Sequence, residues 1–359
     1  MKEVTKMKLV LENGLEFPGT AYGAAGQSAF GEVVFNTSMV GYQEIISDPA
    51  YEGQIVVMTY PLIGQYGITD EDFEAKQLGI AGLVVRECCE TPSNFRYTKT
   101  LPEELEEHGI PCLSGIDTRM LTRVIRKEGC MKGAIVSEDT SKEEVMKMLS
   151  EARPMENVVK KVSCSKRWFS RTPQHNWDVV VVDCGVKHSI ISALNSRGCN
   201  ATVVPYDSTV EEIMAFNPDG VLISNGPGDP RELPEMIDLI NGLKGKVPVY
   251  GICLGQCLIA LSYGAKVGRL PYGHHGGRPV RSAENGRIVT AEHNHNFMVE
   301  ADSLEGTGLT VTWSDVSDGT VEGIECAADK VRAVQFYPEG APGPEETEFF
   351  DKFVKAMEG

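Results

Sequence analysis

No run of about 18 consecutive apolar residues occurs in this 359-residue chain, so no membrane-spanning helix is predicted. Positive charge is scarce: 34 Lys and Arg stand against 51 Asp and Glu, a formal net charge of −17. That balance argues against nucleic acid or an anionic membrane as the main partner, and says little about a protein partner. There is no internal repeat and no low-complexity tract. The opening Met1-Lys2-Glu3-Val4 has none of the character of a signal peptide, so the expected location is cytoplasmic. Ten cysteines are present, but without the spacing of a metal-ligand framework. Cys253 and Cys257 share a helix face, and His274, His275, His293 and His295 could in principle join them around a metal. The plainer expectation is adopted: reduced thiols of a cytosolic enzyme and no metal on this chain.

What is present is enough apolar material, 42% of residues, for two or three hydrophobic cores. The predicted fold class is α/β, with a β-rich α/β N-terminal domain over residues 1–150, a linker over 151–177, and a doubly wound, mostly parallel-sheet domain over 178–359. In the first part, Lys8–Leu11, Gly31–Asn36, Gln54–Thr59 and Ile80–Val85 read as strands. A helix is expected from Thr118 to Lys127, capped by Asp117 and stopped at Gly129, and another over 141–150. The stretch from Glu151 to Trp177 has weak periodicity and is locally basic, with Arg153, Lys160, Lys161, Lys166, Arg167 and Arg171, and reads as a linker. From Asp178 onward, apolar strands (Val179–Asp183, Ala201–Pro205, Gly220–Ser224, Val247–Gly251) alternate with helical segments, as in a doubly wound parallel sheet. Ligands of such sheets bind beyond the carboxyl ends of the strands. Asn225–Pro230 and Cys253 both fall there, so one shared site is expected.

The strongest local signal is Val249-Tyr250-Gly251-Ile252-Cys253-Leu254-Gly255-Gln256-Cys257, a strand running into Gly-x-Cys-x-Gly and then a small-residue apolar helix. This is a nucleophile-elbow pattern: a sharp turn that flanking glycines permit, holding Cys253 at the first turn of a helix with its sulfur exposed. Unpaired N–H groups and the helix dipole at that point favour the thiolate, the competent nucleophile for acyl transfer.

These residues resemble the class I (triad) glutamine amidotransferases, and most closely the small subunits of carbamoyl-phosphate synthetase, over essentially the whole chain. The resemblance is carried in the first half by Phe35–Glu44, Asp48-Pro49-Ala50-Tyr51, Thr59-Tyr60-Pro61 with Ile63-Gly64, and Asp117-Thr118-Arg119 with Leu121-Thr122-Arg123. In the second half it is carried by Ser224–Pro230, the Cys253 elbow, Gly273–Gly277, Asp318-Gly319-Thr320, and Pro338-Glu339 followed by Ala341-Pro342-Gly343-Pro344. It implies that Cys253 attacks the carboxamide of L-glutamine, with the N–H of Leu254 and one from the Gly226–Gly228 loop as oxyanion hole. It further implies that Ser38, Gly226, Gly228, Leu254, Cys257, Asn294, Asn296 and Phe297 occupy substrate-binding positions. Ammonia would pass to a large synthetase subunit; ATP and Mg would be used there, and no cofactor is expected on this chain.

The chain departs from the family at the chemistry. The catalytic histidine position is Tyr337, although the orienting acid, Glu339, is present. The Gly-His-Gln after the nucleophile reads Gly255-Gln256-Cys257, and the Asn expected after Gly276-Gly277 is Arg278. A phenol with a pKa of about 10 is a poor base at neutral pH. General acid–base participation is worth roughly 10²- to 10⁴-fold, so weakened glutamine hydrolysis is expected. The alternative is a catalytically silent structural or regulatory subunit of an ammonia-using synthetase. Rescue by His293 or His295 is a third outcome; read plainly, those histidines are surface or loop positions.

Overall fold

The computed structural model describes residues 5–152, 155–343 and 348–358. Met1–Val4, Arg153 and Pro344, on which parts of the sequence reading rest, lie outside the described residues. The chain divides into two compact units, Met1–Met155 with Pro271–Gly273, and Glu156–Leu270 with His274–Gly359. Among the described residues no helix is long and apolar enough to cross a membrane.

In the first unit seven strands close into a barrel, in the order Lys6–Leu11, Glu16–Gly23, Pro111–Ser114, Gly82–Val84, Ile55–Met58, Ala29–Asn36, Met131–Ser137. Closure leaves no unpaired strand edge. The alternation of side chains along each strand sorts the core. Val33, Phe35, Ile55 and Val57 fill one cluster, while Val34 and Val56 fill another against Tyr42, Ile46 and Leu105. The helix Thr118–Glu128 begins where Asp117 Oδ1 accepts the Met120 N–H at 2.9 Å, as its spacing predicts. It ends at Gly129, whose φ of 96° suits a residue without Cβ.

The second unit is built on a ten-stranded sheet. Its strands run in the order Trp168–Ser170, Cys199–Pro205, Trp177–Asp183, Gly220–Ile223, Val249–Ile252, Val331–Val334, Val321–Cys326, Ile288–Val299, Val267–Ser282, Thr310–Asp315. The five from Cys199–Pro205 to Val331–Val334 are parallel. Val179 and Val181 enter one core cluster with Ile190, Leu194 and Phe353. Val180 and Val182 enter another with Met236, Ile240 and Leu258. Both faces are therefore helix-covered, which is why these strands read as unbroken apolar runs. Beyond Val331–Val334 the sheet continues antiparallel through the long hairpin Val267–Ser282/Ile288–Val299.

The stretch read as a linker, within which the boundary between the two units falls, contains regular structure. Val158–Val162 is a helix, and Trp168–Ser170 is an edge strand paired antiparallel to Cys199–Pro205. Elements of five and three residues are too short for periodicity to reveal, and the edge strand is made by its partner further along the chain.

Candidate active site

The strand Val249–Ile252 ends at Cys253, and the helix Leu254–Ser262 starts immediately after it. Cys253 has φ 54° and ψ −105°, a strained conformation for a residue with a side chain, and the one a nucleophile elbow requires. Both flanking glycines are sterically compelled. A Cβ on Gly255 would lie 2.5 Å from the Ile223 carbonyl oxygen, and one on Gly251 would lie 2.8 Å from the backbone of Gly255. The Cys253 N–H donates to the Val334 carbonyl at 2.8 Å, tying the elbow to the neighbouring strand.

One expectation needs correcting. Cys253 is only 3% exposed, rather than presenting its sulfur to solvent, because the hairpin strand Ile288–Val299 passes over it. The thiol donates to the Asn294 carbonyl at 3.5 Å.

The Gly226 loop follows the strand Gly220–Ile223. A Cβ there would sit 2.1 Å from the Cys184 carbonyl oxygen and 3.0 Å from Leu254 Cδ2, so only glycine lets this loop lie against the helix start. Gly228 has φ 90°, in the left-handed region. Gly226 and the Leu254 side chain are thus brought together where the helix begins.

Tyr337 is buried in the same core cluster as Cys253. Its N–H donates to the Glu292 carbonyl at 2.8 Å. The Lys187 ammonium lies 4.1 Å from the centroid of its ring. Lys187 Nζ also donates to Glu339 Oε1 at 3.0 Å and to the Ala341 carbonyl at 2.5 Å. The Lys187–Glu339 pair is fully buried, with both side chains 1% exposed. The carboxylate that would orient a histidine is therefore held by a lysine. Lys187 is a residue that sequence reasoning missed; it follows the Gly185 turn at the carboxyl end of a parallel strand, where site residues are expected.

The remaining candidates divide. Asn294 and Asn296 contact His275, whose Nδ1 and Nε2 lie 3.0 and 3.2 Å from their side-chain oxygens. Burial pushes the His275 pKa down to about 4, so this ring is neutral and its single N–H donates to one of these two oxygens. Phe297 lies near two cations, with the Arg231 and Arg269 guanidinium carbons 5.6 and 5.9 Å from its ring centroid. Cys257 is turned into the core, its sulfur 3.4 Å from Gln335 Oε1, which also accepts from Gln256 Nε2 at 3.1 Å. Ser38 belongs to the first unit, where its N–H donates to Asn36 Oδ1 at 2.7 Å. Arg278 is bound to Asp315 at 2.7 Å and Asp318 at 2.9 Å.

His293 and His295 are not surface or loop residues. They are buried on the strand Ile288–Val299 and, two residues apart, share one face of it. The side chain of Asn294 points to the other face. His293 and His295 are gathered with His274 around the fully buried carboxylate of Glu322. Cys253 and Cys257 do not join this cluster of possible metal ligands.

The elbow carries a reactivity prediction. Burial raises the thiol pKa of Cys184, Cys199 and Cys257. A small alkylating reagent in limiting amount is expected to modify Cys253 before these three, because first-turn N–H groups support its thiolate. Peptide mapping by mass spectrometry reads the order. Modification of Cys253 after all three would remove the case for an activated nucleophile.

Comparison with known proteins agrees with this architecture. Residues 9–135 match the family described as carbamoyl-phosphate synthase small chain, CPSase domain, and residues 180–357 match glutamine amidotransferase class-I. The chain is 48% identical over 358 residues to the carbamoyl phosphate synthase small chain of Listeria monocytogenes serotype 4b (strain F2365), covering 99% of this chain and 98% of that one. It is 46% identical over 355 residues to the carbamoyl phosphate synthase pyrimidine-specific small chain of Bacillus subtilis (strain 168), covering 98% of this chain and 96% of that one. With both halves matched and near full-length identity at this level, the chain belongs to the carbamoyl phosphate synthase small chain family.

Proposed function

We propose that this chain is the amidotransferase subunit of a glutamine-dependent carbamoyl-phosphate synthetase, with glutamine hydrolysis weakened at the base. The observation that carries the reading is the strained Cys253 elbow with the Gly226 loop seated against Leu254. The Cys253 sulfur attacks the carboxamide carbon, a C–S bond forms and the C–N bond breaks. Ammonia leaves with the added proton, and water hydrolyses the thioester to glutamate, regenerating the thiol. The oxyanion formed at each stage sits between the Leu254 N–H and an N–H of the Gly226–Gly228 loop. Asn294, Asn296 and Phe297, close to the nucleophile along one strand, hold the substrate. The missing function is proton transfer: a Tyr337 phenol under a lysine ammonium cannot become the cation that pairs with a thiolate. Ammonia passes to a large subunit that uses ATP and bicarbonate. The setting proposed for this chemistry is the reducing cytoplasm.

A second reading, a silent structural subunit, is favoured by the Lys187–Glu339 ion pair, which occupies the acid that a catalytic imidazole would use. Co-expression with a large synthetase subunit separates the readings. A stable complex is expected, making carbamoyl phosphate readily from ammonia and slowly from glutamine. A slow but measurable glutaminase rate that Cys253→Ala abolishes supports the first reading. A rate indistinguishable from Cys253→Ala supports the second. Failure to co-purify overturns both, and would point to a free-standing hydrolase.

A further inference from the structure

The buried cluster on the face away from Asn294 is unexplained by amidotransferase chemistry, and its hydrogen bonding is peculiar. His293 Nδ1 lies 2.9 Å from the Ala291 carbonyl oxygen, and His295 Nδ1 lies 2.8 Å from the Phe297 carbonyl oxygen. Carbonyl oxygens only accept, so both Nδ1 atoms carry the proton. His274 has a carboxylate oxygen at each nitrogen, Asp318 Oδ2 at 2.9 Å from Nε2 and Glu322 Oε1 at 3.2 Å from Nδ1, and donation from Nε2 to Asp318 leaves Nδ1 bare toward Glu322. In a neutral ring the other nitrogen is then a bare lone pair. All three of those nitrogens face Glu322. His274 Nδ1 is 3.2 Å from Oε1, His293 Nε2 is 3.2 Å from Oε2, and His295 Nε2 is 3.8 Å from Oε1.

Lone pairs aimed at carboxylate oxygens repel unless something positive lies between them. Three buried imidazolium rings in contact would serve, but each charge would have to be desolvated beside two of its own kind. His295 Nε2 is moreover buried with no hydrogen-bond partner. A single cation bound by the lone pairs answers both problems. The outer hydrogen bonds to Asp318, Ala291 and Phe297 are the kind that fix the tautomer of metal-binding histidines.

We propose that His274 Nδ1, His295 Nε2 and the Glu322 carboxylate bind one divalent transition-metal ion of the zinc class, with His293 placed to supply the fourth position. The donor atoms of His274, His295 and Glu322 lie within 4.8 Å of one another. The edge of a tetrahedron with metal–ligand bonds of about 2.0 Å is about 3.3 Å, close to the 3.2 and 3.8 Å separations here. Two or three imidazoles with one carboxylate suit zinc or cobalt rather than magnesium or calcium, which prefer all-oxygen cages. A second grouping, His274 with Asp315 and Asp318, is already neutralised by Arg278 and is not assigned an ion.

The test uses the full-length protein, stripped with chelator and titrated with Zn²⁺ and Co²⁺. About one equivalent is expected to bind, to raise the melting temperature, and to give with Co²⁺ the visible bands of a four-coordinate nitrogen/oxygen site without sulfur charge-transfer bands. Glu322→Gln keeps the side-chain size and is expected to weaken binding by more than about 10- to 100-fold, the loss seen when only an outer partner of a ligand is removed. Asp318→Asn is expected to lose affinity within that range, and His275→Ala, altering the other face, to retain it. The proposal is overturned if the parent protein binds less than a tenth of an equivalent, if cobalt shows thiolate bands, or if Glu322→Gln binds as the parent does. Should Glu322→Gln fail to fold, the stoichiometry and cobalt spectrum of the parent protein decide.

Discussion

Tyr337→His raises glutamine hydrolysis by about 10-fold or more, the low end of what general acid–base participation contributes. Cys253 is already held in the elbow, and Glu339 is already buried at the place from which a carboxylate orients an imidazole. Two features of the structure keep the gain at the low end. The Lys187 ammonium, 4.1 Å from the Tyr337 ring centroid, would stand beside any imidazolium formed there. It also occupies Glu339 Oε1 at 3.0 Å. Cys257→Gln added to Tyr337→His is expected to give more than the sum of the two, since residues acting as one unit are not additive. Arg278→Asn, which the family pattern suggests as a further restoration, is not expected to help. Its guanidinium neutralises the buried Asp315, and removing it strands that charge. The measurement is steady-state glutaminase activity of the complex. If Tyr337→His lowers an already substantial activity, the tyrosine or another group is the working base, and the account of a weakened site fails.

Lys187→Met lowers the stability of the second unit by about 3–5 kcal/mol, the usual cost of stranding one member of a buried ion pair. Both side chains are 1% exposed, so water cannot take the place of the lost partner. The double change Lys187→Met with Glu339→Gln is expected to recover most of the loss, because the stranded charge goes with its partner. Urea unfolding of the parent, both single variants and the double variant closes the cycle. A loss below about 1 kcal/mol in Lys187→Met would mean the pair behaves as an exposed salt bridge does, and its buried geometry would be contradicted.

The residues alone determined the parallel sheet and the elbow, and marked Tyr337 as a departure from the family pattern. Val179–Asp183 and Gly220–Ser224 are legible because a strand covered on both faces must be apolar at every position. Cys253 is legible because Gly251 and Gly255 leave room for a turn that no other residues allow. Tyr337 stands out because a phenol occupies the position where the family pattern has a histidine. Tertiary structure alone decided the barrel closure, since which strands pair around a ring depends on partners far along the chain. It alone showed that Trp168–Ser170 is an edge strand and that Lys187 reaches Glu339 across 152 positions. The metal-type cluster was half visible. His293 and His295 at alternate positions of a strand must share a face. That the face is buried, and that Glu322 and His274 meet them there, follows from pairing between strands: His274 lies opposite His295 in the hairpin, and Glu322 comes from the neighbouring strand. Sequence spacing records what one element places on one side; only the register between elements decides which of those sides face each other.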